Sequence, residues 1–196
     1  EMLAELCSTD IFGMMLAGPR LRVIPATIHC ALSEIPGKLS TPLIEKLLYL
    51  THKTLTIDFD ISRPKIGVTG LNPHAGENGL FGCEETEIIL PAIHKCRKTL
   101  PNIYGPFPSD TIFHKAYNGD FDAVICMYHD QGLGPFKLVH FDEGVNITMG
   151  LPIVRTSVDH GTAYDIAGKG IANPTSLRKA VELAAFIANN RKQIQQ

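Results

Sequence analysis

The sequence predicts an α/β fold, a mostly parallel sheet with helices on both faces. Three observations lead there. Apolar runs without polar alternation, such as Ile66-Gly67-Val68-Thr69 and Ala123-Val124-Ile125-Cys126-Met127, read as strands buried on both faces. Segments with helical spacing fall between such runs, so strand and helix patterns alternate along the chain. Several runs then hand on directly to His, Asn, Asp and Gly, the arrangement by which α/β folds build sites at strand ends.

Taken in order, residues 2–8 have a helical pattern. The chain enters at Glu1 in the middle of that amphipathic pattern, with no cap residue before it, which predicts that the N-terminal part of a longer protein is missing. Phe12 to Ala17 is a short apolar run stopped by Gly18-Pro19, and Leu21 to Thr27 is strand-like and ends near His29. Ser40 or Thr41 can cap a helix with Pro42 in its first turn and Leu43, Leu47, Leu48 and Leu50 on its apolar face. Lys65 to Gly70 is a buried strand that leads into a loop, Leu71 to Gly82, too rich in glycine for helix or strand. Glu84 to Leu100 reads as a helix, Ile103 to Phe107 as a strand, and Ser109 or Asp110 caps a short helix to Ala116. The strand 122–127 follows. Val145–Met149 and Pro152–Arg155 read as a pair of strands around Gly150, and Thr175 or Ser176 caps the last helix. No repeat and no linker divides the chain, so 1–196 is read as one unit without an internal boundary.

Composition narrows the function. The net charge is −2, which supplies no electrostatic grip on nucleic acid or an anionic membrane. No apolar run approaches the roughly 20 residues that span a bilayer. The five cysteines lack a Cys-x-x-Cys spacing and several sit in apolar context, which predicts reduced, buried thiols and a cytoplasmic protein.

Chemistry concentrates in three stretches. Residues 128–137 follow the strand at 123–127 with a His, an Asp and a Lys within ten positions; residues 70–77 and 155–163 are as dense. His29, His74 and His129 each follow a strand-like run. Parallel strands entering from one edge leave at one edge, so the three imidazoles can converge into a metal site with an open position. A satisfied polar residue at each strand end is the competing reading. Lys137, Asn146 and Arg155 lie in or beside strands, where cations usually meet an anion. That anion is either a substrate carboxylate or phosphate or an internal partner such as Asp130, Asp142 or Glu143. The small-residue segment 159–174 offers backbone donors and Asp165, but it lacks the Gly-x-Gly-x-x-Gly fingerprint.

These stretches resemble a known family. Leu-Asn-Pro-His-Ala-Gly-Glu (71–77), Tyr-His-Asp-Gln-Gly-Leu (128–133), Val-Asn-Ile-Thr-Met-Gly-Leu-Pro (145–152) and Arg-Thr-Ser-Val-Asp-His-Gly-Thr-Ala (155–163) are similar to the PdxA family, the 4-hydroxythreonine-4-phosphate dehydrogenases of pyridoxal phosphate biosynthesis. The resemblance runs nearly end to end. It implies a fold like isocitrate and isopropylmalate dehydrogenases, with α/β/α layers, in a homodimer whose site lies near the interface. It implies that His29, His74 and His129 bind one divalent cation (Zn, Co, Mg or Mn) and that Lys137, Asn146 and Arg155 bind substrate. His160, Gly161, Thr162 and Asp165 match nucleotide contacts for NAD or NADP. A His-Thr pair that binds substrate in the family would fall immediately before Glu1.

The implied reaction oxidises the C3 hydroxyl of 4-phosphooxy-L-threonine, passes a hydride to NAD(P)+ and loses CO2 to give 3-amino-2-oxopropyl phosphate. Asp130 and Lys137 are the nearer candidates for acid–base work, with Asp110 more distant. Three rivals stand beside this reading: a related dehydrogenase acting on 4-phosphoerythronate or 4-phosphothreonate, a metal-dependent hydrolase using the same imidazoles, and a dimerising metal-binding module without activity.

Overall fold

The computed structural model describes residues 2–194. Glu1, where the first helical pattern begins, lies outside them. The elements in chain order are α1 (Met2–Leu6), β1 (Gly13–Ala17), β2 (Arg22–Thr27), α2 (Ile35–Lys38), α3 (Thr41–Ile57), β3 (Ile66–Thr69), α4 (Leu90–Arg97) and β4 (Ile103–Phe107). Then come α5 (Ser109–Tyr117), β5 (Ala123–Tyr128), α6 (His129–His140), β6 (Val145–Met149), β7 (Thr156–Val158) and α7 (Thr175–Ile194).

The strands form one seven-stranded sheet in the order β4-β3-β5-β2-β1-β6-β7. β4, β3, β5 and β2 are mutually parallel. β1 is antiparallel to β2 and β6, and β7 is antiparallel to β6. The strands β2 to β6 therefore run one way, and β1 and β7 the other, as the mostly parallel expectation required. Parallel neighbours need crossovers, and α3, α4 and α5 supply them between β2, β3, β4 and β5.

Both sheet faces are covered, which explains the continuous apolar runs. On β5, Ala123, Ile125 and Met127 join the core formed with Ile44 and Leu48 of α3 and Ile93 of α4. Val124 and Cys126 point the other way, into a second core with Ile112 of α5 and Leu133 and Phe136 of α6. Burial in that second core pushes the Cys126 thiol up. The period of two thus builds an α/β/α sandwich. Ser40 caps α3 as read, its hydroxyl accepting from the Leu43 N–H at 3.3 Å.

One helix was not read from the sequence, and four local expectations need correction. Residues 129–140 form α6 despite Gly132, Gly134 and Pro135. A side chain at Gly132 would collide with Cys126 Sγ, so glycine lets the helix lie against β5. The strand placed at 152–155 falls instead at Thr156–Val158, because Arg191 takes the carbonyls of Leu151 and Ile153, each at 3.1 Å. The helix read from Glu84 opens with a π turn, Glu85–Ile89. Pro91 has no N–H to offer the Glu87 carbonyl in an α-helical register. Asn173, not Thr175 or Ser176, serves the start of α7 by accepting from the Thr175 N–H at 3.0 Å, and α5 has no side-chain cap. Of the cysteines, all five are free, but Cys83 is exposed and only Cys96 and Cys126 are buried.

Arg191 also clamps the end of α7 to the end of α3. Its Nε and Nη2 donate to the two Asp58 oxygens at 2.6 and 2.8 Å, and the Asp58 side chain is only 4% exposed. Removing one member leaves a buried charge alone. Arg191→Ala is expected to lower unfolding free energy by about 3 kcal/mol in urea titration. A second test concerns His140, buried at the end of α6 against Phe136 and the bare face of Gly18, with neither ring nitrogen hydrogen-bonded among the described residues. Burial holds its pKa below the ordinary 6.5. The unfolded chain therefore binds the proton more readily, and stability falls as pH drops below about 6.5. His140→Phe is expected to flatten that slope in unfolding curves taken from about pH 5 to 7.

Candidate active site

Three neighbouring parallel strands, β3, β5 and β2, end on one edge of the sheet. Thr27 and Tyr128 are register partners, so His29 and His129 leave the sheet side by side. Their ring centroids are 5.8 Å apart and tilted by 44°. Both line a cleft of about 410 Å³ with Cys30, Tyr128 and Asp130. The Asp130 carboxylate lies 2.6 Å from Nδ1 of His129. A carboxylate only accepts, so Nδ1 is the donor and Nε2 is left with its lone pair for the cleft. Two rings on one cation, with metal–nitrogen bonds near 2.1 Å, have centroids about 5–6 Å apart. The pair fits that donor geometry.

His74 does not join them within one chain. Among the described residues no three His, Cys, Asp or Glu side chains gather closely enough to hold a metal. The edge argument put His74 in the right row, because its loop follows β3, next to β5. The loop then turns away. His74, Ala75, Gly76, Glu77 and Asn78 all have positive φ, between 41° and 80°. This left-handed turn carries the exposed imidazole against Phe81, centroid to centroid 6.2 Å.

Lys137, Asn146 and Arg155 lie on or beside α6, β6 and β7. Lys137 Nζ donates to the Asp159 carbonyl at 3.2 Å and lies 3.5 Å from its Oδ1. The ion partner weighed for this lysine was Asp130, Asp142 or Glu143; it is Asp159. Desolvation raises the Asp159 pKa, opposed mainly by Lys137 and more weakly by His129 and His160. Asp159 is thus paired with the lysine and lies within electrostatic reach of His129 and His160. Among the described residues its Oδ2 is buried without a partner, and so is Oδ1 of Asn146. Asn146 faces Ser157 across β6 and β7. Arg155 precedes β7 and donates to Thr148 Oγ1 at 3.3 Å. Buried acceptors without donors are costly in a closed protein and natural where a ligand supplies the donor.

The remaining expected residues are more dispersed. His160, Gly161, Thr162 and Asp165 lie exposed on the connection from β7 to α7, and the His160 ring sits 3.0 Å from the Gly161 carbonyl. Asp110 is exposed in the first turn of α5. A larger cavity of about 1060 Å³, between α3, residues 8–11 and Arg191, contains none of the residues singled out for chemistry.

Two supporting residues escaped the sequence reading. Gln131 is buried and spans the strand ends: Oε1 accepts from Thr69 Oγ1 at 2.9 Å and the Met127 N–H at 2.6 Å, while Nε2 donates to the Gly70 carbonyl at 2.8 Å. Asp159 is the other. Its position directly before His160 in a polar stretch was the available signal.

The described residues thus form an α/β sandwich with paired imidazoles at its parallel edge and a Lys–Asp pair after β7. The chain belongs to the PdxA family: residues 1–184 match the family described as pyridoxal phosphate biosynthetic protein PdxA. It is 58% identical over 185 residues to a 4-hydroxythreonine-4-phosphate dehydrogenase of Desulfosudis oleivorans, covering 94% of this chain and 55% of that protein. It is 51% identical over 192 residues to a D-threonate 4-phosphate dehydrogenase of Cupriavidus necator, covering 97% and 57%. The crystal structure of the 4-hydroxythreonine-4-phosphate dehydrogenase from Klebsiella pneumoniae superposes with a TM-score of 0.87 at 45% identity, covering 95% of this chain and 56% of that one. The chain thus spans about half the length of the curated relatives it matches, and its fold is theirs.

Proposed function

We propose that this chain carries the metal and substrate residues of an NAD(P)-dependent, divalent-metal-assisted dehydrogenase. In this reading it oxidises and decarboxylates 4-phosphooxy-L-threonine to 3-amino-2-oxopropyl phosphate in pyridoxal phosphate biosynthesis. The observation that carries the reading is the His29–His129 pair in one cleft, with Asp130 fixing the His129 tautomer, in a chain of this family.

His29 and His129 of one copy and His74 of a second copy would hold the cation. Exposed apolar residues support such a homodimer: Leu80 and Phe81 near His74 in the chain, Leu138 on α6 and Phe141 directly after it. A divalent cation held by neutral imidazoles supplies Lewis acidity that lowers a hydroxyl pKa and polarises a ketone. Asp130 acts through the ring it orients. Lys137, paired with Asp159, and Arg155 grip the carboxylate and phosphate of the substrate, and Asn146 orients a polar group through its Oδ1. Acid–base work falls to Lys137 and Asp130, with Asp159 beside the lysine. NAD or NADP is the hydride acceptor, because no side chain here can take a hydride. His160, Gly161, Thr162 and Asp165 are the proposed cofactor contacts. No helix among the described residues is long and apolar enough to cross a membrane, and the five cysteines are free, which accords with a cytoplasmic location.

The Cupriavidus relative's name favours a second reading, oxidation of a 4-phosphorylated threonate by the same residues. NADH absorbance with the two acids side by side discriminates them, and the phospho-amino acid is expected to give the higher kcat/KM. Turnover without nicotinamide would point to a hydrolase instead.

The shared site is tested by mixing. His74→Ala and His129→Ala proteins are each expected to lose stoichiometric cobalt(II) binding and to keep only a weak, measurable residual affinity. Their mixture, after exchange of subunits, is expected to regain about a quarter of wild-type sites, since half the dimers then hold one intact site. No recovery would mean that each chain builds its own site. Arg155→Ala is expected to weaken binding of the phosphorylated acid about tenfold or more in calorimetry while leaving NAD affinity near its wild-type value. Equal losses would make Arg155 structural.

A further inference from the structure

Glu85 is 3% exposed and takes part in no ion pair among the described residues. A buried carboxylate without a cation is costly unless donors surround it. Its donors all come from one loop. Oε1 accepts from the backbone N–H of Leu71 at 2.7 Å and of Asn72 at 2.8 Å, and Oε2 from the Asn72 amide at 3.1 Å. Glu84 takes the same amide at 2.8 Å.

The loop is wrapped around this carboxylate. A Cβ on Gly70 would lie 2.8 Å from Oε1, and one on Gly76 would lie 2.5 Å from Oε2. The Glu85 carboxylate thus crowds both glycines, with the Ala75 backbone also close at Gly70 and a positive φ at Gly76, and the two bracket His74. Between and beyond them the backbone is left-handed at four residues that are not glycine: His74, Ala75, Glu77 and Asn78. Each such residue costs roughly 1 kcal/mol, and Ala75 has no polar side chain to compensate. The turn is thus held from below, and Glu85 is the group that holds it. The π turn that begins at Glu85 belongs to the same arrangement, since such irregularities recur where a helix serves a site.

We propose that Glu85 is the positioning residue for His74. It fixes the left-handed turn that presents the imidazole, and so sets the third ligand of the cation. This rests on the metal reading given above and goes beyond it, because Glu85 touches neither cation nor substrate. Its action passes through Leu71 and Asn72 to the turn.

The test compares the wild-type protein with Glu85→Gln, His74→Ala and the double variant. Cobalt(II) binding is followed by absorption, amide exchange at Leu71 and Asn72 by NMR, and stability by urea unfolding. In Glu85→Gln an NH2 group faces donors, so the Leu71 and Asn72 amides are expected to exchange at least tenfold faster. Cobalt affinity is expected to fall about tenfold or more under conditions where the variant remains folded. In the His74→Ala background, Glu85→Gln is expected to cause no further loss, the mark of two residues acting as one unit. Asn72→Ala, which removes one of the Glu85 partners, is expected to repeat the pattern and replaces Glu85→Gln if that variant does not fold. Full cobalt affinity with fast-exchanging amides would overturn the proposal, as would an additive loss in the double variant. A wild-type protein that binds no cobalt would overturn the metal reading and this proposal together, a result distinct from wild-type binding that survives loss of the carboxylate.

Discussion

One buried carboxamide sets the frame for the whole candidate site. Where β3 and β5 end, their backbones part into loops and their polar groups lose sheet partners. Gln131 meets both strands there, accepting from Met127 and Thr69 and donating to Gly70. A carboxamide has a donor and an acceptor on one planar group, so it can bridge two backbones without burying a charge. Thr27 repeats the device on the other side, its hydroxyl donating to the Met127 carbonyl at 2.9 Å. His29, His129 and the loop bearing His74 all leave the sheet within a few residues of these bonds. The imidazoles are thus referenced to one hydrogen-bonded seam rather than to independent loops, which is what a ligand set needs.

What the sequence disclosed was what depends on local pattern. β3 and β5 were legible because burial on both faces leaves only apolar residues to choose. α3 was legible because Ser40, Pro42 and a leucine stripe agree with one another. The convergence of His29 and His129 was legible because strand direction follows from crossover topology. What stayed hidden was set by distant partners. Arg191, some 40 residues away, draws the carbonyls of Leu151 and Ile153 out of the sheet and so moves β7 along the chain. Gly132, Gly134 and Pro135 argue locally against a helix, yet Leu133 and Phe136 gain the second core only if α6 forms. The turn at His74 was hidden because Ala75 and Glu77 carry no signal for left-handed backbone.

The electrostatics near Lys137 follow from the same sheet. β7 brings Asp159 beside the lysine of α6, and Asn146 sits on the adjoining strand. Lys137 satisfies one side of the Asp159 carboxylate, through a contact 3.5 Å long, and leaves Oδ2 buried without a donor. Asn146 is in the same position through its Oδ1. Two buried acceptors without donors among the described residues, one of them beside a cation, are unfavourable when dry and suit a ligand with both an anionic end and hydrogen-bond donors. Phosphorylated hydroxy acids and amino acids are ligands of that kind.

The division of the proposed metal site between copies then has a physical basis. Two imidazoles from adjacent strand ends face one cleft, but the third is held away by a turn whose left-handed residues are individually unfavourable. A monomer gains nothing from that strain, since it only pushes an imidazole and two large apolar side chains, Leu80 and Phe81, toward solvent. A second copy changes the balance. In the proposed dimer the apolar exposure would become buried contact, and the displaced imidazole would become a ligand for its neighbour's pair. Assembly and metal binding would then be linked: each imidazole crossing the interface would tie cation affinity to subunit association, and the site would be complete only in the paired state.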